Sequence, residues 1–159
     1  MLVEKAIPVY NIVEGHSFFS NIRSIVVFRN PADILAEMFL RKTAIFKGVK
    51  KLSSEKINDF LDWQNIYFKR ILELSKSDDV LVLPFEMLIE KPEVVLGRVE
   101  RFLDLKIRPK NFHRFSPKKS KQNINKYRAI LNSLEQKQIL KSETYNLYLK
   151  LVADVESHI

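Results

Sequence analysis

Arg29 is the residue from which chemistry can be read first. It stands in Ser24-Ile25-Val26-Val27-Phe28-Arg29-Asn30-Pro31-Ala32-Asp33. Ile25 to Phe28 is a short, β-rich apolar run, the pattern of a strand covered on both faces. Asn30 can cap a following helix with its side-chain oxygen. Pro31 suits the first helical position, where a missing N–H costs nothing. Asp33, in the first turn, faces the positive end of the helix dipole. Arg29 is thus expected at the carboxyl end of a strand and beside a helix N-terminus. Open α/β sheets place ligands there, and anions favour that spot. Glu86 follows a second apolar run, Val80 to Phe85, at the equivalent carboxyl end. Lys121 lies in a strongly basic stretch, and His16 lies in the turn Glu14-Gly15-His16-Ser17.

Composition limits what these residues can do. The chain has 159 residues, enough for one domain with a core, and its 46% hydrophobic content is ordinary. There is no cysteine, which excludes disulfides and thiolate metal sites. The 3 histidines are scattered, so no metal site is expected. With only 3 glycines, the chain has little means of cradling a phosphate in a glycine-rich loop. A net charge of +8 predicts attraction to an anionic partner. Glu4 and Lys5 interrupt any leader-like apolar run, and no apolar run approaches spanning length, so a cytoplasmic location is expected.

The elements that must position Arg29 and Glu86 follow from periodicity. Residues 6–13 read as a strand, and Pro8 makes it an edge strand or the start of one. A helix is expected from Pro31 to about Phe46, with Gly48 as its stop. A long amphipathic helix is expected over about 55–75, capped by Ser53 or Ser54. Its stripe is Ile57, Phe60, Leu61, Phe68, Ile71 and Leu72, flanked by Trp63 and Tyr67 as core or rim aromatics. After the strand at 80–85, a helix begins at Pro92. Residues 106–128 carry nine Lys or Arg side chains and no Asp or Glu, and read as a long basic loop. Ser133-Leu-Glu-Gln136 reads as a capping box opening a closing helix to about Glu156. Strand, helix, helix, strand, helix is a crossover pattern, so a parallel sheet is expected. The chain reads as a single domain, 1–159, with the loop 106–128 inside it.

These residues carry a resemblance. The Ile-Val-Val-Phe-Arg29-Asn-Pro-Ala-Asp33-Ile segment is similar to the strand–helix motif of sulfotransferases that use the sulfate donor PAPS (3′-phosphoadenosine-5′-phosphosulfate). In Val-Leu-Val-Leu-Pro-Phe85-Glu86-Met-Leu88, then Glu90-Lys-Pro92-Glu93 and Arg101-Phe-Leu-Asp-Leu105, the chain resembles the family's strand ending Tyr-Glu-Asp-Leu and the helix after it. Lys121-Gln-Asn-Ile-Asn125-Lys-Tyr127-Arg128 resembles the family's Arg-Lys-Gly and Gly-Asp-Trp-Lys segments. The likeness spans about 20–158. It implies a P-loop-NTPase-like α/β fold, with a parallel sheet flanked by helices. It also implies transfer of a sulfuryl group from PAPS to an acceptor hydroxyl or amine, with PAPS as co-substrate and no metal. By the same likeness, Arg29 holds the donor's 3′-phosphate, Lys121 and Phe85 contribute to the donor site, and His16 is the candidate catalytic base.

Several positions depart from the family pattern. The serine that follows the arginine by eight residues is here Glu37, and a carboxylate beside a phosphate must turn away or damage the site. The tyrosine before the glutamate is Phe85, which keeps the ring and loses the hydroxyl. Ser120, Gln122 and Tyr127 replace an arginine, a glycine and a tryptophan. The loop that cradles the 5′-phosphosulfate has no counterpart in residues 1–28, where Gly15 is the one glycine. The resemblance is therefore to the C-terminal part of such a domain, and an N-terminally truncated one is expected, with weak or absent activity alone. A homo-oligomer or a partner chain would then supply the missing loop. The expected partners are an anionic nucleotide and an acceptor that the sequence does not specify. A second reading stays open: a non-catalytic basic α/β protein that binds RNA or a sulfated glycan through 106–128, where Phe112, Phe115 and Tyr127 are interleaved with the basic residues.

Overall fold

Two parallel strands hold the molecule's centre. A computed structural model describes residues 22–106 and 120–157. Strand β1 is Ser24–Phe28 and β2 is Val80–Pro84, paired in parallel with Val26 opposite Val82 and Phe28 opposite Pro84. Between them the chain runs through α1 (Pro31–Leu40), a short 3-10 turn (Ala44–Phe46) and α2 (Ser54–Leu74). After β2 come α3 (Phe85–Glu90), α4 (Pro92–Leu103), α5 (Tyr127–Ile130), α6 (Ser133–Leu140) and α7 (Glu143–Glu156). The parallel α/β architecture expected from the crossover pattern is what forms. The strand expected at 6–13 lies outside the described residues, as do residues 107–119 of the basic stretch.

One apolar cluster sits on the sheet. Phe28, Phe68, Tyr148, Leu83, Ile71 and Leu151 are buried together where α2 and α7 cross β1 and β2. The Phe28, Phe68 and Tyr148 rings meet edge to face at centroid separations of 5.9 to 6.3 Å. A second cluster lies under α1. It joins Leu35, Phe46, Ile57 and Phe60 to Tyr127, Leu131 and Ile139. The first cluster holds both strands and the second holds α1, so Arg29 lies at the join between an element of each.

Four expectations are corrected. β2 is buried throughout, but β1 alternates: Val26 and Phe28 are buried, while Ile25 and Val27 are 38% and 43% exposed. One face of β1 is therefore uncovered, contrary to the reading from its apolar run. The first helix ends at Leu40, not near Phe46, because Lys42 adopts a left-handed φ of 48° and turns the chain. Phe46 still reaches the core, carried there by the 3-10 turn. Strand β2 stops at Pro84, and Phe85 already opens α3. The closing helix is two helices. Asn132, not Ser133, caps α6, in a capping box with Glu135. Ser142 then caps α7 by accepting from the Tyr145 N–H, so the chain breaks at Lys141–Ser142.

Candidate active site

The site is built where β1 ends and α1 begins. Asn30 caps α1 with its side-chain oxygen, which accepts from the Ala32 N–H at 2.9 Å, and Pro31 takes the first helical position. The Asn30 N–H donates in turn to Glu86 Oε1 at 2.9 Å. Glu86 thus ties the two strand ends together, a role its place after an apolar strand only hints at. Its other oxygen, Oε2, is buried without a hydrogen-bond partner. Burial pushes the Glu86 carboxyl above the usual carboxylate range; the Asn30 N–H and Arg29 oppose that and Asp33 reinforces it. The Tyr148 hydroxyl is pushed above the ordinary tyrosine value first by burial and then by Glu86.

Arg29 is half-buried at this join. One of its terminal nitrogens donates to the Asn123 carbonyl at 2.6 Å, and its guanidinium carbon lies 5.2 Å from the centre of the Phe85 ring. Its Nε is buried and has no partner. A guanidinium placed over an aromatic ring, with donors left over, suits a phosphate or sulfate group. The structure thus brings Arg29, Phe85 and the turn after Lys121 together. Lys121 itself is exposed, within one hydrogen-bonded turn of Asn123: Ile124 N–H donates to the Lys121 carbonyl at 3.1 Å. His16 lies outside the described residues.

Residues 123–127 are fastened along α1. Asp33, fully buried, accepts from the Asn125 N–H at 2.8 Å and from the Tyr127 N–H at 3.0 Å. Asn125 has a φ of 57°, a left-handed conformation that asparagine tolerates better than most residues. Further along α1, Lys126 Nζ meets Glu37 Oε2 at 2.8 Å, and Arg41 bonds Glu37 Oε1. Lys126 first, and Arg41 after it, hold the Glu37 carboxyl below its ordinary value against the opposing effect of burial. Glu37 is thus paired with two cations. The sequence reading missed the Asp33 and Lys126 contacts. Asp33 looked like a dipole partner because the N–H groups that donate to it lie more than ninety residues away in sequence.

A cleft of about 310 Å³ opens beside the join, lined in part by Asn30, Glu86, Glu90, Tyr145, Tyr148 and Glu156. Its carboxylates outnumber Lys91, which is itself paired with Glu156 at 3.7 Å. When ionised, these carboxylates disfavour an anion in the cleft. Among the described residues no group of His, Asp or Glu could hold a metal ion.

A family model for the sulfotransferase domain matches residues 8–150. The chain belongs to the sulfotransferase domain family. That match covers both strands, Arg29, Glu86 and Lys121. A P-loop-like fold with a parallel sheet between helices agrees with this membership. No curated protein and no solved structure matches the chain. Among the described residues, no helix is long and apolar enough to cross a membrane.

Proposed function

We propose that this sulfotransferase-family chain binds the PAPS nucleotide at the β1–α1 join and serves sulfuryl transfer to an acceptor hydroxyl or amine. The observation that carries the reading is Arg29, its guanidinium carbon 5.2 Å from the centre of the Phe85 ring at the carboxyl end of β1, with a buried Nε that has no partner. Those residues fit the 3′-phosphate of the donor, and Lys121 adds a second cation from the turn that Arg29 holds. The domain is one unit, with the basic stretch 106–128 within it. PAPS, when bound, supplies the sulfuryl group. The chain's own part is to hold the nucleotide in line and to balance its charge, since transfer of such groups depends mainly on positioning and electrostatics. His16 is the proposed base for the acceptor proton. The cleft beside Asn30 and Glu86 is the proposed place for a ligand part that carries no negative charge.

Thermal unfolding of the full chain tests the donor site. Adenosine 3′,5′-bisphosphate at about a hundred times its Kd stabilises a binder by ~2.7 kcal/mol, seen as a raised Tm. Arg29→Ala is expected to lose that rise, and Arg29→Lys to keep part of it. No rise in the wild type, or an equal rise in Arg29→Ala, overturns the reading.

A further inference from the structure

The first turn of α1 offers an anion very little by itself. Pro31 has no N–H, the Ala32 N–H is taken by Asn30 Oδ1 at 2.9 Å, and the Asn30 N–H is taken by Glu86. Besides the Asp33 N–H, the donors at the join are those of Arg29 and whatever another segment brings. Residues 120–127 are that segment, and they reach α1 through a buried carboxylate. Asp33 is 0% exposed, and each of its oxygens accepts one backbone N–H, from Asn125 and from Tyr127. The intervening residue is Lys126, whose side chain is 30% exposed and whose Nζ lies 2.8 Å from Glu37 Oε2. Two residues before Asn125, the Asn123 carbonyl meets Arg29 at 2.6 Å. A turn earlier stands Lys121.

We propose that Asp33 is a positioning residue for the anion site: it pins residues 125–127 to α1, and so sets the Lys121–Lys126 segment across Arg29. Asp33 does not touch the anion. A carboxylate suits the arrangement there, because the Asn125 and Tyr127 N–H groups each meet a different oxygen. An amide has one, and turns its own N–H₂ toward the other donor. The left-handed Asn125 belongs to the same device, since that backbone turn delivers its N–H to Asp33. The inference rests on the proposed donor site, and names what builds it.

The experiment compares Asp33→Asn, Lys121→Ala and the double variant of the full chain by calorimetric titration with adenosine 3′,5′-bisphosphate, with inorganic phosphate in parallel. Asp33→Asn is expected to weaken nucleotide binding about tenfold, the scale of one charge-assisted hydrogen bond lost with its donor. Lys121→Ala is expected to weaken wild-type binding several-fold and to add almost nothing in the Asp33→Asn background, because the cation is then already misplaced. Binding by Asp33→Asn equal to wild type overturns the proposal, and so does full additivity of the two losses. Lys121→Ala alone serves if Asp33→Asn does not fold: no loss of nucleotide or of phosphate binding overturns the positioning of that segment. Failure of the donor reading is distinct, because it appears as wild-type binding of phosphate without preference for the nucleotide.

Discussion

Glu37 lies eight residues after Arg29, and two cations neutralise it. Its partners Lys126 and Arg41 hold its carboxyl below the ordinary range, Lys126 contributing most. A lowered carboxylate adds stability above its unfolded value, and that contribution is lost as pH falls through the folded one. Its side chain is 19% exposed and that of Lys126 is 30% exposed, so the pair resembles surface pairs more than buried ones. A double-mutant cycle of Glu37→Gln and Lys126→Met is expected to give about 0.5–1 kcal/mol of coupling near neutral pH. The coupling should vanish in acid, as urea titrations at both pH values can check. Glu86 behaves in the opposite sense. Its value is raised by burial, so its favourable contribution exists below the ordinary carboxylate range and is lost as pH rises through the raised one. The groups facing it are Arg29, Asn30, Asp33 and Tyr148. Glu86→Gln retains an oxygen for the Asn30 N–H and removes the buried charge. Its Tm relative to wild type should therefore improve between acid and neutral pH; a constant difference across that range contradicts the assignment.

At the scale of elements, the Arg29 join was readable and its fastening was not. The apolar run before Arg29, then Asn30 and Pro31, are local signals, and each acts on its nearest neighbours. The cap, the first helical residue and the strand all form where those signals place them. The segment 123–127 is different. Its backbone donors find Asp33 across the fold, and no spacing rule connects positions so far apart. Helix ends also escaped. Nothing in Ala44, Ile45 and Phe46 forbids a continued helix, and the break comes from the left-handed Lys42. Likewise α6 and α7 share one apolar period, and only the Ser142 cap reveals the break. Ser142→Ala is expected to cost about 1 kcal/mol in denaturant unfolding, because it leaves the Tyr145 N–H without its acceptor. At Asn125, glycine should be tolerated, whereas valine should lose roughly 1–2 kcal/mol to the left-handed conformation.

At the scale of the whole molecule, the two apolar clusters carry the fold and the charge directs the ligand. Phe68 and Leu151 are among the most deeply buried side chains between α2, α7 and the sheet. Phe68→Ala is expected to cost roughly 3–5 kcal/mol by its lost burial and the cavity left behind. Fold class was legible because apolar strands and amphipathic helices follow one another in a crossover order, and the family because the segments around Arg29 and Glu86 resemble its motifs. The uncovered face of β1 was not, since an apolar strand looks the same whether one face or two are covered. The net charge of +8 suits an anionic ligand, while Glu86, Glu90 and Glu156 line the cleft beside the join. Nucleotide binding should accordingly weaken as ionic strength rises. The most direct measurement is a calorimetric titration of the wild-type chain and Arg29→Ala with adenosine 3′,5′-bisphosphate and with adenosine 5′-monophosphate. The wild type is expected to prefer the bisphosphate by more than tenfold, the scale of one charge-assisted contact, and Arg29→Ala to bind the two alike. Equal binding of both nucleotides by the wild type, or an unchanged preference in Arg29→Ala, contradicts a 3′-phosphate site at Arg29.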